Sequence, residues 1–190
     1  MKENISSVEA FIAQTLTGEI SWNILIIDGP AASGKSTLGA YIANRCQATL
    51  IHMDDFYSPG PKRTPERLAE IGGNVDYERF YLEVILPIQA EAFPFSYRKF
   101  DCHEMNFTEN FTINRLPVVI EGSYSAHPYF QNWQDIFIFL TLDQEIQMKR
   151  IISREGQEKA EVFRNRWIPR ENHYFKHFAI AERADYTMSI

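Results

Sequence analysis

The sequence predicts an α/β fold, a three-layer α/β/α sandwich built on a mainly parallel sheet. Three observations predict it. Short apolar runs alternate with stretches of helical periodicity, the order in which parallel strands and their covering helices occur. The runs are apolar at nearly every position instead of every second one, as strands buried on both faces are. A glycine-rich string, Gly29 to Thr37, joins one such run to the helical stretch that follows it.

In order along the chain, Ser6 or Ser7 can cap a short amphipathic helix carrying Val8, Phe11, Ile12 and Leu16, stopped by Gly18. Asn23 to Asp28 reads as a buried strand, Ser36 to Cys46 as a helix and Ala48 to Met53 as a second strand. Pro59, Gly60, Pro61, Gly72 and Gly73 punctuate a long, mobile connection. A helical pattern starting near Asp76 is expected to bend or end at Pro87, since proline cannot donate to the helical ladder. Aromatic and polar residues alternate over residues 93–114, which predicts a small hairpin excursion. Pro117 to Glu121 and Asp135 to Leu142 are further core strands, and Gln144 to Arg154 is a helix. A second helical region around residues 162–182 is expected to be interrupted at Pro169, and residues 184–190 can add an edge strand. With no repeat, low-complexity tract or linker, residues 1–190 read as one domain. At that length a chain buries roughly 68–70% of its unfolded surface and needs no staples.

Composition narrows the setting. Cys46 and Cys102 are the only cysteines and form no C-x-x-C pair, which excludes a disulfide framework and a four-cysteine zinc site and fits a reducing, cytoplasmic home. The first twenty residues are too polar for a signal peptide, and no window approaches the length of a membrane span. A net charge of -6 argues against nucleic acid as a partner, so an anionic ligand must be held by specific donors. A homo-oligomer remains open.

The string GPAASGKST fits G-x-x-x-x-G-K-[ST], with Gly29, Gly34, Lys35 and Ser36 at the required positions. A strand before it and a helix after it would make backbone N–H groups from Ala31, Ala32, Ser33 and Gly34 through Thr37 converge on one phosphate group. Lys35 would neutralise the β- and γ-phosphates of ATP and the Ser36 hydroxyl would hold Mg²⁺. Such a loop serves kinases, hydrolases and switches alike, so other residues must decide.

His52-Met53-Asp54-Asp55-Phe56-Tyr57 falls at the carboxyl end of the second strand, where open α/β sheets present ligand groups. A carboxylate there can take the proton of an attacking hydroxyl, and strand geometry lets only one of Asp54 and Asp55 do so. Glu121 ends its own apolar strand on the same sheet edge and can reach the metal directly or through water. Lys149 to Arg170 holds seven basic residues against three acids, a local reversal of sign, and Arg150 and Arg154 share a helical face.

The ordered set GPAASGKST, HMDDFY, GGNVDYERF, VVIEGSY and KRIISRE resembles the uridine kinase-like family of P-loop kinases, which also includes phosphoribulokinase and bacterial pantothenate kinase. The resemblance implies a P-loop NTPase fold with an Arg-rich lid over residues 150–170. It implies that Asp54 is the catalytic base and that Asp55 is secondary. It further implies that Tyr57 lies beside a nucleobase, that Asp76 grips ribose hydroxyls, that Tyr97 and His103 recognise the base, and that Glu121 lies near metal and acceptor. The expected activity is MgATP-dependent transfer to a primary hydroxyl, the 5′-OH of uridine or cytidine. Lys35, Arg150 and Arg154 would assist Asp54 in the transfer. A same-fold kinase for another alcohol, such as pantothenate or a sugar phosphate, and a non-catalytic nucleotide sensor are the alternatives. Asp28 has no assigned role beyond a contact with Lys35 or the metal.

Overall fold

The computed structural model describes residues 7–102, 104–131 and 133–189. Its strands are β1 (Ile24–Asp28), β2 (Thr49–His52), β3 (Phe95–Asp101), β4 (Asn106–Ile113), β5 (Val118–Glu121), β6 (Ile136–Thr141) and β7 (Tyr186–Ser189). Five of these form one sheet in the order β2-β5-β1-β6-β7, every neighbouring pair parallel, while β3 and β4 make a separate antiparallel hairpin. The helices are α1 (Val8–Thr17), α2 (Lys35–Cys46), α3 (Pro65–Ala69), α4 (Tyr77–Phe80), α5 (Leu86–Gln89), α6 (Gln144–Glu155), α7 (Gln157–Val162), α8 (Ile168–His177) and α9 (Ile180–Arg183). Ser7 caps α1 by accepting from the Ala10 amide; Ser6 lies outside the described residues.

Strand side chains alternate between two cores, and both are apolar, which explains the unbroken runs. Leu25, Ile27, Val119, Ile138 and Leu140 face Phe11 and Ile12 of α1 and Leu38 and Ile42 of α2. Ile24, Ile26, Ile120, Phe137 and Phe139 face Phe80, Val84, Ile88, Tyr174 and Ile180 on the other side. Each such side chain contributes about 1.5–3 kcal/mol relative to exposure, so the layers are fixed by burial on both faces.

The helix expected to bend or end at Pro87 does not end there, and the interruption expected at Pro169 is a π-helical turn just before it. The helix containing Pro87 and the one containing Pro169 both continue through the proline, and each is preceded by a π-helical turn, Tyr81–Ile85 and Phe163–Trp167. A π turn widens the ladder by one residue and makes room for the proline ring, so the helix runs on although proline supplies no N–H. The connection over residues 59–73 is not bare either: it carries a 3₁₀ turn, Gly60–Lys62, and α3, tied down by Arg67 to Glu78 and to the Val75 carbonyl.

Because the sheet is parallel, the carboxyl ends of β1, β2 and β5 lie along one edge. The loop after β1, the 3₁₀ turn Met53–Phe56 after β2 and Glu121 at the end of β5 therefore converge, and His52 is the register partner of Glu121. The hairpin docks beside them through Tyr97, whose ring packs 4.8 Å from that of Phe56. Among the described residues no helix is long and apolar enough to cross a membrane.

Candidate active site

A cleft of about 1130 Å³ opens along this sheet edge. At one end lies the phosphate loop. Gly29 adopts φ 149°, and a Cβ there would stand 2.6 Å from the Leu140 carbonyl oxygen, so only glycine lets the loop leave β1 against β6. Gly34, at φ 95°, turns the chain into α2 and leaves the helix N-terminus facing the cleft. Lys35 donates to the Gly29 and Pro30 carbonyls at 2.8 and 2.9 Å, which leaves the third proton of its ammonium for a phosphate. Ala31, Ala32, Gly34, Lys35, Ser36 and Thr37 line the cleft. Gly29 is buried against β6, and Ser33 is fully buried with no partner for its hydroxyl, so these two shape the loop instead of facing the cleft.

Two residues hold this loop from beneath, Glu171, which the sequence reading did not single out, and Asp28, to which it gave only a contact with Lys35 or the metal. Glu171 on α8, buried at 6% exposure, accepts from the Ala31 amide at 2.9 Å and from the Ser123 hydroxyl at 2.7 Å. Burial raises its pKa, and the nearby Lys35 charge opposes that rise. Asp28 accepts from the Gly29 and Ala126 amides and from the Tyr174 hydroxyl, at 2.7, 3.1 and 2.8 Å. Its carboxylate is thus a tie between β1, the segment after β5 and α8, while the Lys35 ammonium bonds to carbonyls instead. An acid closing an apolar strand was the only sequence signal for this tie.

In the middle of the cleft stand Asp54 and Glu121. Asp54 opens to the cleft, yet the protein around it and the Glu121 charge raise its pKa, with Lys35 opposing. A carboxyl so placed is a better proton acceptor than an ordinary aspartate. Asp55, which also lines the cleft, accepts from the Tyr97 hydroxyl at 2.7 Å. Glu121 Oε1 lies 2.5 Å from His52 Nδ1, an interaction that raises the pKa of His52. Mg²⁺ takes hard oxygen donors and, in nucleotide sites, uses one or two side chains besides the phosphates. The Ser36 hydroxyl and the Asp54 and Glu121 carboxylates share one stretch of cleft wall, so the donor set fits.

Over the loop, α6 brings Arg150 and Arg154 to the cleft. Arg150 donates to the Ala32 carbonyl at 3.2 Å, and the exposed Arg154 pairs with its half-buried neighbour Glu155. Arg164 instead turns away to Glu161. Arg166 and Arg170 stack on Trp167, which itself lines the cleft together with Phe163.

No protein-family model matches the chain. Among solved structures, a possible uridine kinase from Bacillus stearothermophilus superposes with a TM-score of 0.73 at 18% identity, covering 96% of this chain and 97% of that one. A candidate fructose transport system kinase from Silicibacter sp. TM1040 gives 0.71 at 17% identity, over 96% and 98%. The chain has the P-loop kinase fold. A curated relative, tRNA dimethylallyltransferase 1 from Geotalea uraniireducens (strain Rf4), is 28% identical over 143 residues, 74% of this chain. The chain spans 44% of that protein's length. At these identities the likeness is one of fold, and the chemistry rests on the site.

Within this P-loop kinase fold, the acceptor end differs from the expectation. Tyr57 does line the cleft, its hydroxyl close to Asp54. Asp76 does not. It is 1% exposed, caps α4 by accepting from the Arg79 amide and pairs with Lys62 at 2.8 Å. Tyr97 is also 1% exposed, packed between Phe56 and Phe111. Alternation along β3 turns its side chain into the core. His103 lies outside the described residues. The wall is made instead by Arg63, Asn74, Phe100, Asp101, Met105 and Tyr124; Asn74 and Tyr124 fall within the strings GGNVDYERF and VVIEGSY, and the other four belong to no motif legible in the sequence.

Proposed function

We propose that this chain is a kinase that transfers the γ-phosphoryl group of ATP to a hydroxyl of a small molecule. One observation carries the reading: a phosphate loop with its lysine, an acid of raised pKa, a second carboxylate and two arginines all line a single cleft. The loop amides and Lys35 bind the donor phosphates, and Arg150 and Arg154 meet the charge that spreads over the transferring group. Asp54 orients the acceptor hydroxyl and takes its proton as the new O–P bond forms and the bond from the γ-phosphorus to ADP breaks. Bound Mg²⁺ supplies charge neutralisation on the donor phosphates, with Ser36 and Glu121 as the residues to hold it. The fold's likeness to a possible uridine kinase supports uridine or cytidine as the first acceptors to test, though the burial of Asp76 and Tyr97 removes two of the side chains expected to grip them.

The test is MgATP consumption against nucleosides, pantothenate, neutral sugars and sugar phosphates, with product mass determined. Asp54→Asn should leave ATP affinity within about twofold and cut transfer at least a hundredfold, within the range general-base catalysis contributes. Unchanged turnover would refute the base assignment. The relative named for dimethylallyl transfer motivates one further arm, dimethylallyl diphosphate with tRNA. Product there, and none with alcohols, would replace the kinase reading.

A further inference from the structure

Glu121 is held by a neighbour that does not itself reach the cleft. β2 and β5 run parallel with His52 and Glu121 as register partners, so the two side chains leave adjacent strand ends on the same face of the sheet. His52 Nδ1 lies 2.5 Å from Glu121 Oε1, and because a carboxylate only accepts, the ring N–H is the donor. Among the described residues this is the one hydrogen bond of the Glu121 carboxylate, and Oε2 has no partner. Glu121 lines the cleft, whereas His52 is not part of its wall.

Two glycines press this pair into place. A Cβ at Gly39 of α2 would stand 3.1 Å from Glu121 Cγ and 3.3 Å from its Cβ, so the bare backbone lets the helix lie against the glutamate stem. At Gly122, where φ is 139°, a Cβ would stand 2.7 Å from that of Met53, so the segments that follow β5 and β2 are packed together beside the pair. The stem is thereby confined, and the His52 bond fixes the carboxylate at its end. The cations of the cleft bond elsewhere: Lys35 to the Gly29 and Pro30 carbonyls, Arg150 to the Ala32 carbonyl and Arg154 to Glu155. Ordering a glutamate side chain costs rotamer entropy, and a donor already in place removes that cost from the binding of a ligand.

We propose that His52 is a positioning residue for the divalent-cation site: it holds Glu121 Oε1 and leaves Oε2 as the oxygen that meets the cation or one of its waters. The inference rests on the kinase reading, in which Ser36 and Glu121 hold Mg²⁺, and deepens it by naming the group outside the cleft that orients one of the two. Carboxylates at metal sites are themselves hydrogen-bonded from behind, and loss of such a partner costs roughly 10–100-fold in metal affinity.

Its test is Mn²⁺ binding, followed by loss of the free-ion electron paramagnetic resonance signal, to the full chain in excess over a non-hydrolysable ATP analogue. His52→Val removes the donor with a residue that strands favour, and His52→Asn presents an amide N–H the same number of bonds from the backbone as Nδ1. The valine variant should bind Mn²⁺ about tenfold or more weakly while its metal-free affinity for the analogue stays within about twofold, and the asparagine variant should stay within about threefold of the wild type. In a Glu121→Gln background, His52→Val should weaken Mn²⁺ by less than about twofold further, since the bond it removes acts through Glu121. The histidine side chain is 38% exposed, and thermal unfolding checks that the variants fold. The proposal is overturned if the valine variant holds Mn²⁺ as the wild type does, if asparagine fails to rescue it, or if the loss is as large without Glu121. Binding is read without turnover, so transfer measured on the same samples reports separately on the kinase reading; a wild type that holds no Mn²⁺ beside the analogue would overturn both.

Discussion

Asp28 shows how one side chain can matter without touching a ligand. It is fully buried, and desolvation outweighs its three hydrogen bonds and the Lys35 charge, pushing its pKa up to about 6 from 3.8. A folded-state pKa above the unfolded one means that the neutral acid is what folding favours. The stability it contributes is complete below pH 3.8 and is lost as pH rises through about 6. At 1.36 kcal/mol per unit, the difference amounts to about 3 kcal/mol. Asp28→Asn removes the ionisation while keeping an acceptor for the amides. Urea unfolding of both proteins should therefore show the variant gaining about 3 kcal/mol on the wild type between pH 3.5 and pH 7.5. Curves that run parallel across that range would contradict it.

At the scale of elements, α8 is the clamp on the phosphate loop. Glu171 and Tyr174 are three apart on one helical face, and they reach Ala31 and Asp28 respectively. Glu171→Ala would leave the Ala31 amide and the Ser123 hydroxyl buried without partners, a loss of about 1–3 kcal/mol per unsatisfied group. Stability should fall by that order in urea titrations, and the KM for ATP should rise several-fold because the loop is no longer held open for phosphate. A destabilised variant with an unchanged KM would separate α8 from the loop. The hairpin is held by a comparable device. Arg79, buried, donates to the carbonyls of Arg98 and Asp55 and stacks on Phe56 at 4.3 Å, so β3, the Asp54 turn and α4 move as one piece.

For the whole molecule, the cleft is assembled from segments that lie far apart in the chain: the loop after β1, the turn after β2, the end of β5, the tip of the hairpin, and α6 to α8. The pieces from α6 onward form one wall of the cleft. Arg154 is the clearest probe of that wall. Its side chain is 54% exposed and its ion pair is with an adjacent surface residue, a type of pair worth at most about 1 kcal/mol. Arg154→Ala should keep the unfolding free energy within about 0.5 kcal/mol while kcat falls at least tenfold, the loss expected of a charge that meets the transferring phosphoryl. Equal kcat in the two proteins would remove Arg154 from the proposed chemistry.

The parts of this architecture carried by local signals were legible in the sequence. Strands buried on both faces need apolar runs, a phosphate loop needs Gly29, Gly34, Lys35 and Ser36 at fixed spacing, and Asp54 and Glu121 follow strand ends, so the layers and the converging sheet edge could be derived. That the helix runs on past Pro87 was not legible, because proline's sequence signal is a missing donor and the π turn before it, which makes room for the ring, leaves no composition mark. Asp76 and Tyr97 were placed by resemblance, and their fate turned on tertiary neighbours: Lys62 and the start of α4 for one, the packing of Phe56 and Phe111 for the other. Arg63, Glu171 and the stacking of Arg166 on Trp167 gave no local signal at all. Their meaning lies in which groups they meet across the fold, and that juxtaposition is made only when the two cores close around the sheet.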